Sequence, residues 1–416
     1  MLCCRSSILG LNKAIMQEPD RRIPLRMQLA LYGSAMFSDG ASQVVVPLWV
    51  LTLHPSALAF GIVIGARSLL PFLLSIHGGV LMDRLGARQV MLFFAIVGLF
   101  LPILFPVLPW VWAAVFLQLL IGLTTTMSWV GAQTISGQTM MGNPAFIGRF
   151  SFSNRFGGFF CPLVAGFAWD GFGPWGGFAV MFLCSVLLLI SALLLPKHTD
   201  AQTSHRPFAI RDVVPRVDDY TRALALLAIP AVAVVAIGSV LNIATGAIQS
   251  SFYLAYLEKI GLSGSLIGIL VATANVTALA GTIGVTWLMR RIGGVRLLNT
   301  SVIGSILAIM VTPFLVTFGP LLLASVLRGW CQGIVQPLMI SIPSKAVPRD
   351  SQGISVGLRI SLNRLVQTLL PLVMGGVVGV IGLEASFVVT GGVLLLIVGS
   401  VMFVLSRRGM MPRGPD

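Results

Sequence analysis

One carboxylate and five arginines stand well inside long apolar stretches of this sequence: Asp39, and Arg67, Arg155, Arg328, Arg359 and Arg364. A charge at the centre of a lipid bilayer costs about 2.5 kcal/mol or more, so each should face a partner or a wet cavity. Asp39 lies about 12 residues into its stretch, a depth of about 18 Å along a helix, near a membrane midplane. Two chemistries are open to it. Burial would raise its pKa and make it a proton carrier; a neighbouring Arg67 or Arg155 would lower its pKa and make it a fixed counter-ion. His77, near the end of the second apolar stretch, is a further proton-coupling candidate. Five arginines against one aspartate would leave a central cavity positive, which suits anionic oxygens that guanidinium groups hold in pairs.

Uncharged groups extend the same cavity: Gln43, Gln118, Gln133, Asn154, Asn242, Gln249, Asn275, Gln332, Gln336 and Asn363, with Trp129 and Trp330 as flanking surfaces. Such residues also bridge helices in membrane bundles, at about 0.6 kcal/mol each. We take Arg67, Arg155, Arg328, Arg364, Gln118, Trp129 and Asn275 as the substrate-cavity candidates. Arg359 is nearer the end of its stretch, where a long side chain can reach the interface.

Two of the arginines belong to a repeat. Residues 148–166 (GRFSFSNRFGGFFCPLVAG) and 357–375 (GLRISLNRLVQTLLPLVMG) share seven identities at a constant offset of 209: Gly148/Gly357, Asn154/Asn363, Arg155/Arg364, Pro162/Pro371, Leu163/Leu372, Val164/Val373 and Gly166/Gly375. Arg155 and Arg364 should therefore face each other across a pseudo-two-fold axis. Arg67 has no such counterpart, since Ala274 holds its place.

The elements that carry these residues follow from composition. Hydrophobic residues make up 56% of 416 and charged residues 10%, with a mean hydropathy of +0.95. Soluble domains carry about 25% charged residues, so the solvent of this chain is lipid. About 20 apolar residues cross the hydrocarbon as a helix, and twelve such spans are expected: roughly 27–52, 58–82, 89–106, 110–138, 146–169, 175–195, 223–256, 265–289, 296–317, 320–343, 353–380 and 383–405. With the N-terminus inside, the inner segments hold 21 of 27 basic residues, the outer loops only Lys259, and the spans five. That asymmetry places both termini in the cytoplasm. It also accounts for the net charge of +14 without nucleic acid.

The expected organisation is a basic leader (1–26), a six-helix bundle (27–195), a polar cytoplasmic linker (196–222), a second six-helix bundle (223–405) and a tail (406–416). The leader has no signal-peptide layout. Cys3, Cys4, Cys161, Cys184 and Cys331 have no metal-ligand spacing, and no phosphate-cradling glycine loop or nucleophile–base arrangement is found. Neither a cofactor, a metal nor an enzymatic role is expected.

The loop after span 2 reads Gly79-Val-Leu81-Met-Asp83-Arg84-Leu-Gly86-Ala-Arg88. It resembles the loop 2–3 signature of the major facilitator superfamily. By that resemblance Gly79, Asp83, Arg84, Gly86 and Arg88 form an inner gate. A worn copy, Leu288-Met289-Arg290-Arg291-Ile292-Gly293, lies 207 residues on, with Arg290 in place of the aspartate. Span 5 reads Gly148, eight residues, Gly157, three residues, Cys161-Pro162, two residues, Ala165-Gly166. This frame is similar to the family's antiporter signature, with Cys161 and Ala165 where glycines stand. Proton-coupled members have an arginine in span 4 four residues before a glycine; here Gln118 precedes Gly122 in that place, while span 10 offers Arg328-Gly-Trp330-Cys-Gln332-Gly333.

The resemblance implies an all-α membrane fold of two pseudo-symmetric six-helix bundles. It also implies alternating access and proton-driven export of a small organic molecule. The cavity charge makes that molecule anionic or oxygen-rich, as a siderophore-like or drug-like metabolite would be. The alternatives are proton-symport uptake of an anionic metabolite and, more remotely, a membrane sensor or lipid-modifying enzyme. The expected setting is a bacterial inner membrane, with the protein a monomer whose partners are substrate, protons and lipid.

Overall fold

The computed structural model describes residues 24–38, 40–140, 144–196, 230–346 and 352–407. Among the described residues there are helices and no strands. A backbone in lipid must satisfy its own polar groups, and a helix does so within one segment. The first half holds α1 (Leu25–Phe37), α2 (Ser42–Thr52), α3 (Ala57–Leu85), α4 (Ala87–Val107), α5 (Val111–Met140) and α6 (Pro144–Leu194). The second holds α7 (Pro230–Gln249), α8 (Phe252–Lys259), α9 (Gly264–Ile292), α10 (Gly294–Met310), α11 (Phe318–Ala346), α12 (Gln352–Ile381) and α13 (Leu383–Arg407). Among the described residues, nine helices are long and apolar enough to cross a membrane. The longest, α6, runs 51 residues but turns at Gly173 (φ 64°), with Pro174 opening the return.

The halves are built alike. Ser56 caps α3 by accepting a hydrogen bond from the Ala59 amide at 3.2 Å, and Ser263 caps α9 from Leu266 at 3.4 Å. Both helices end at a glycine in the left-handed region, Gly86 (φ 90°) and Gly293 (φ 84°), 207 residues apart. No side chain favours that conformation, so glycine makes the reversal possible. Large apolar side chains such as Phe100, Trp112, Phe172, Leu323 and Leu396 point outward and are exposed, as a lipid-facing surface requires.

The halves meet along two helix pairs, α3 with α12 and α6 with α9. The backbones touch there. A side chain at Gly61 or Gly65 would collide with the carbonyls of Pro371 or Thr368, and one at Gly375 with Ala57. In the other pair, Gly268 lies against the Pro162 carbonyl and Gly166 against that of Gly264. These contacts sit on the side of the turns at 53–56, 173 and 260–263, here the far face; residue 24, Gly86 and Gly293 mark the near face.

A polar latch adds to the far-face closure. The Asp170 carboxylate accepts the amides of Gly264 at 2.7 Å and Ser265 at 2.8 Å, and the Ser265 hydroxyl at 2.5 Å. A first-half carboxylate thus caps the N-terminus of a second-half helix, where the orphan amides and the helix dipole favour negative charge. Nearby, Lys259 and Glu384 form an exposed ion pair within the second half.

Two predictions follow from the far-face packing. Gly61→Leu and Gly268→Leu should each destabilise the protein by about 1–3 kcal/mol, the usual cost of overpacking, seen as a lower thermal midpoint in detergent. Gly148→Leu, where nothing lies within 4 Å, should leave the midpoint unchanged. Asp170→Ala should cost about 0.5–2 kcal/mol, as loss of an N-cap does, and should increase labelling of a far-face cysteine reporter. Glu384→Gln, at an exposed pair worth about 0–1 kcal/mol, should change neither; equal effects from both substitutions would remove the latch role.

Candidate functional site

A cavity with two adjoining lobes lies between the halves. The first, about 300 Å³, is lined by residues that include Gln43, Pro47, Ile64, Arg67, Gln118, Arg155, Gln249, Asn275, Gln332, Arg364, Gln367 and Pro371. The second, about 290 Å³, lies toward the near face and includes Ala35, Met36, Ser38, Gln43, Arg67, Trp129, Asn154, Arg155, Asn275 and Arg364. Arg67, Arg155 and Arg364 border both lobes, so three guanidinium-bearing side chains meet at the neck between them, together with Gln43 and Asn275.

Each arginine comes from a different helix. Arg67 projects from α3 and donates through Nη1 to the Ser42 hydroxyl at 2.8 Å, at the first turn of α2. Arg364, on α12, donates through Nη1 to Gln367 Oε1 at 3.2 Å, and the Ser68 hydroxyl donates to the same oxygen at 3.2 Å. That shared acceptor links α12 to α3 across the halves. Arg155, on α6, makes no hydrogen bond among the described residues. The repeat therefore does place Arg155 and Arg364 at one cavity.

Neighbouring repeat residues hold the helices that carry the arginines. Asn154 Nδ2 donates to the Ala35 carbonyl at 3.2 Å, tying α6 to α1. Its repeat Asn363 accepts through Oδ1 from the Ser239 hydroxyl at 2.8 Å, tying α12 to α7. Asn275 lines both lobes and also bridges the halves, donating through Nδ2 to the Gly158 carbonyl at 2.8 Å. Trp129 lines the second lobe and stacks on Phe150, ring centroids 5.4 Å apart. Gln118 borders the first lobe; it is buried, and its Oε1 has no hydrogen-bond partner among the described residues.

Arg328 stands elsewhere. It borders neither lobe, is 2% exposed, and lies over the Tyr253 ring with its guanidinium carbon 4.6 Å from the centroid. Its Nε and Nη2 have no hydrogen-bond partner among the described residues. The register explains the difference from the sequence expectation. Gly122 packs on the Arg67 carbonyl and Gly329, 207 residues on, packs on that of Ala274. Arg328 thus holds the place of the buried core residue Ile121, not that of Gln118.

The remaining expected residues divide. Asp39 lies outside the described residues, although its chain neighbours Ser38 and Gly40 both line the second lobe. His77, Gly79, Asp83 and Arg84 fall in α3, but their side chains are also outside what is described. Gly86 makes the turn from α3 to α4, and Arg88 donates through Nε to the Leu195 carbonyl at 2.8 Å, joining α4 to the end of α6. In the span 5 frame, Gly157 packs on the Met36 backbone, Cys161 touches Gly40, and Pro162 and Gly166 lie against α9. Gly148 is exposed, and none of the described residues packs within 4 Å of it. Sequence reasoning missed Ser42, Ser68 and Gln367. The spacing of Gln367, three residues after Arg364 on a helix, was the available signal for one of them.

Several solved structures share this architecture. The nucleoside transporter NupG superposes with a TM-score of 0.74 at 15% identity, over 91% of this chain and 98% of that one. The peptide transporter POT in complex with sulfate gives 0.72 at 16% identity, over 94% and 96%. A bacterial homologue of the human lysosomal transporter Spinster, in an inward-facing and occupied conformation, gives 0.69 at 16%, over 92% and 96%. At such identities the likeness is one of fold. No curated protein sequence matches the chain. The family profile described as Major Facilitator Superfamily matches residues 29–235 and again 235–415, one match for each half. With its helical membrane fold and its two like halves around a central cavity, the chain belongs to the Major Facilitator Superfamily.

Proposed function

We propose that the protein is a secondary active transporter that exports a small organic anion in exchange for protons, by alternating access of one central site. The observation that carries this reading is the neck shared by Arg67, Arg155 and Arg364, with no carboxylate among the described residues that line either lobe. Guanidinium groups in a low-dielectric cavity attract anionic oxygens and repel cations. Classical cation efflux would need acid where this site has base.

In this reading α1 with α2, and α7 with α8, each form one broken crossing, and α6 supplies two. With the other helices this makes twelve crossings with both termini cytoplasmic, in a bacterial inner membrane. The far face is then the outside, closed by the α3/α12 and α6/α9 contacts, and the second lobe opens inward. Export is supported by the span 5 frame. Gly157, Cys161, Pro162 and Gly166 lie where α6 meets α1 and α9, so a change of access would work along that small-residue seam. Asp39 is the proposed proton carrier, set in the sequence between two residues that line the second lobe.

The test is flux into inside-out vesicles under an imposed pH gradient. An organic anion should accumulate and be released by an uncoupler, and Asp39→Asn should abolish the dependence on the gradient. Hydrogen bonds to a charged group contribute about 1.5–3 kcal/mol, so Arg67→Ala and Arg155→Ala should each raise the apparent KM roughly tenfold to a hundredfold. Lys259→Ala, at the exposed far-face pair, should leave the KM unchanged. Proton-driven accumulation of organic cations, insensitive to both arginine substitutions, would overturn the proposal.

A further inference from the structure

We infer that the substrate carries at least two anionic oxyacid groups on an aliphatic, hydroxyl-bearing skeleton. The inference rests on the reading that this cavity carries an organic anion, and goes beyond it to charge count and skeleton.

The charge count comes from the neck. Three guanidinium groups border one continuous space, and like charges in a poorly screened interior disfavour one another. None of the described lining residues is a carboxylate. Asp39, adjacent in sequence to Ser38 and Gly40, could supply at most one negative charge. A deficit of at least two remains for the bound molecule to fill. A monoanion would leave the site charged. Arg155, which makes no protein hydrogen bond among the described residues, is the natural first contact, since a guanidinium presents five donors.

The skeleton comes from what else faces the space. Among the described residues that line the first lobe none is aromatic. Among those of the second, Trp129 alone is, and it is already stacked on Phe150. Sites for nucleobases and aromatic drugs rely on ring faces, and the surface for that is missing from most of this cavity. Amides and hydroxyls take its place: Gln43, Gln249, Ser250, Asn275 and Gln332. Each both donates and accepts, which matches alcohol groups. The unpartnered Gln118 Oε1 makes the same point, because a hydroxyl donor would relieve a buried acceptor. The lobes, of about 300 and 290 Å³, suit a small metabolite.

The test is ligand-dependent thermal stabilisation of the full-length protein in detergent at constant ionic strength, since a ligand that binds only the folded state raises the midpoint. The probes are citrate, tricarballylate, fructose 1,6-bisphosphate, lactate, salicylate, uridine and tetraphenylphosphonium. Citrate or the bisphosphate should stabilise at concentrations at least tenfold below lactate and salicylate; which of the two acts at the lower concentration separates carboxylate from phosphate. Tricarballylate, lacking the hydroxyl of citrate, should bind more weakly than citrate. Arg155→Gln should shift the polyanion response to at least tenfold higher concentration, and Arg155→Lys, which keeps the charge, should recover part of it. The midpoint of each unliganded variant reports its folding. If lactate or salicylate equals the best polyanion, or no polyanion stabilises, the inference falls while anion transport can stand. If tetraphenylphosphonium or uridine outperforms every anion, both fall.

Discussion

The closest constraint in this protein is the contact of backbone with backbone where its halves cross. A helix carrying ordinary side chains keeps a neighbour's axis 8–10 Å away. At the α3/α12 and α6/α9 pairs the glycines allow closer approach, and they recur in both halves: Gly61 with Gly268, Gly166 with Gly375. The partners they meet are also repeat equivalents. Pro162 and Pro371 offer the carbonyls that face Gly268 and Gly61, and Gly264 and Ala57 offer those that face Gly166 and Gly375. These two α6/α9 contacts thus have α3/α12 counterparts. Because apolar side chains gain little by leaving lipid for one another, close packing and hydrogen bonds must hold such a seam. In the proposed alternating access this is the seam that would have to part. Asp170 on the α9 amides adds polar contacts at its far end, near solvent.

Much of this was legible as a repeat in the sequence, and the structure gives each shared residue a physical task. Asn154 and Asn363 tie their helices to α1 and α7, the first described helices of the two halves, Arg155 and Arg364 turn to the cavity, and the proline and glycine that follow make the crossings. Identity at a fixed spacing was readable because one backbone arrangement, used twice, makes the same steric demand twice. Gly148 and Gly357 share that spacing too, yet no described residue packs on Gly148.

What was less legible depends on rotation about a helix axis. Arg328 lies in an apolar span like the cavity arginines, and sequence depth alone does not distinguish them. One step of helix turns a side chain by about 100°, enough to move it from the cavity into the half-bundle. Gln118 and Arg328 each precede a glycine in their spans, but the packing glycines are Gly122, four residues after Gln118, and Gly329, next to Arg328, which puts Arg328 in the place of Ile121. Serines and Gln367 were inconspicuous for a related reason. They become partners of the arginines only through contacts between spans, as Ser42 does for Arg67.

Arg67 shows how a symmetric frame can hold a one-sided site. Its backbone carbonyl receives Gly122 as the carbonyl of Ala274 receives Gly329, so the two positions serve the frame in the same way. Their side chains differ completely. Ala274 lines the first lobe and brings no charge, whereas Arg67 reaches the neck and borders both. The frame uses only the main chain at this position and leaves the side chain free to vary between the halves. Arg155 and Arg364 come paired by the repeat, and Arg67 adds a third positive charge from the first half alone. The charge of the site is asymmetric because of this one side chain, although the helices around it are related by the repeat.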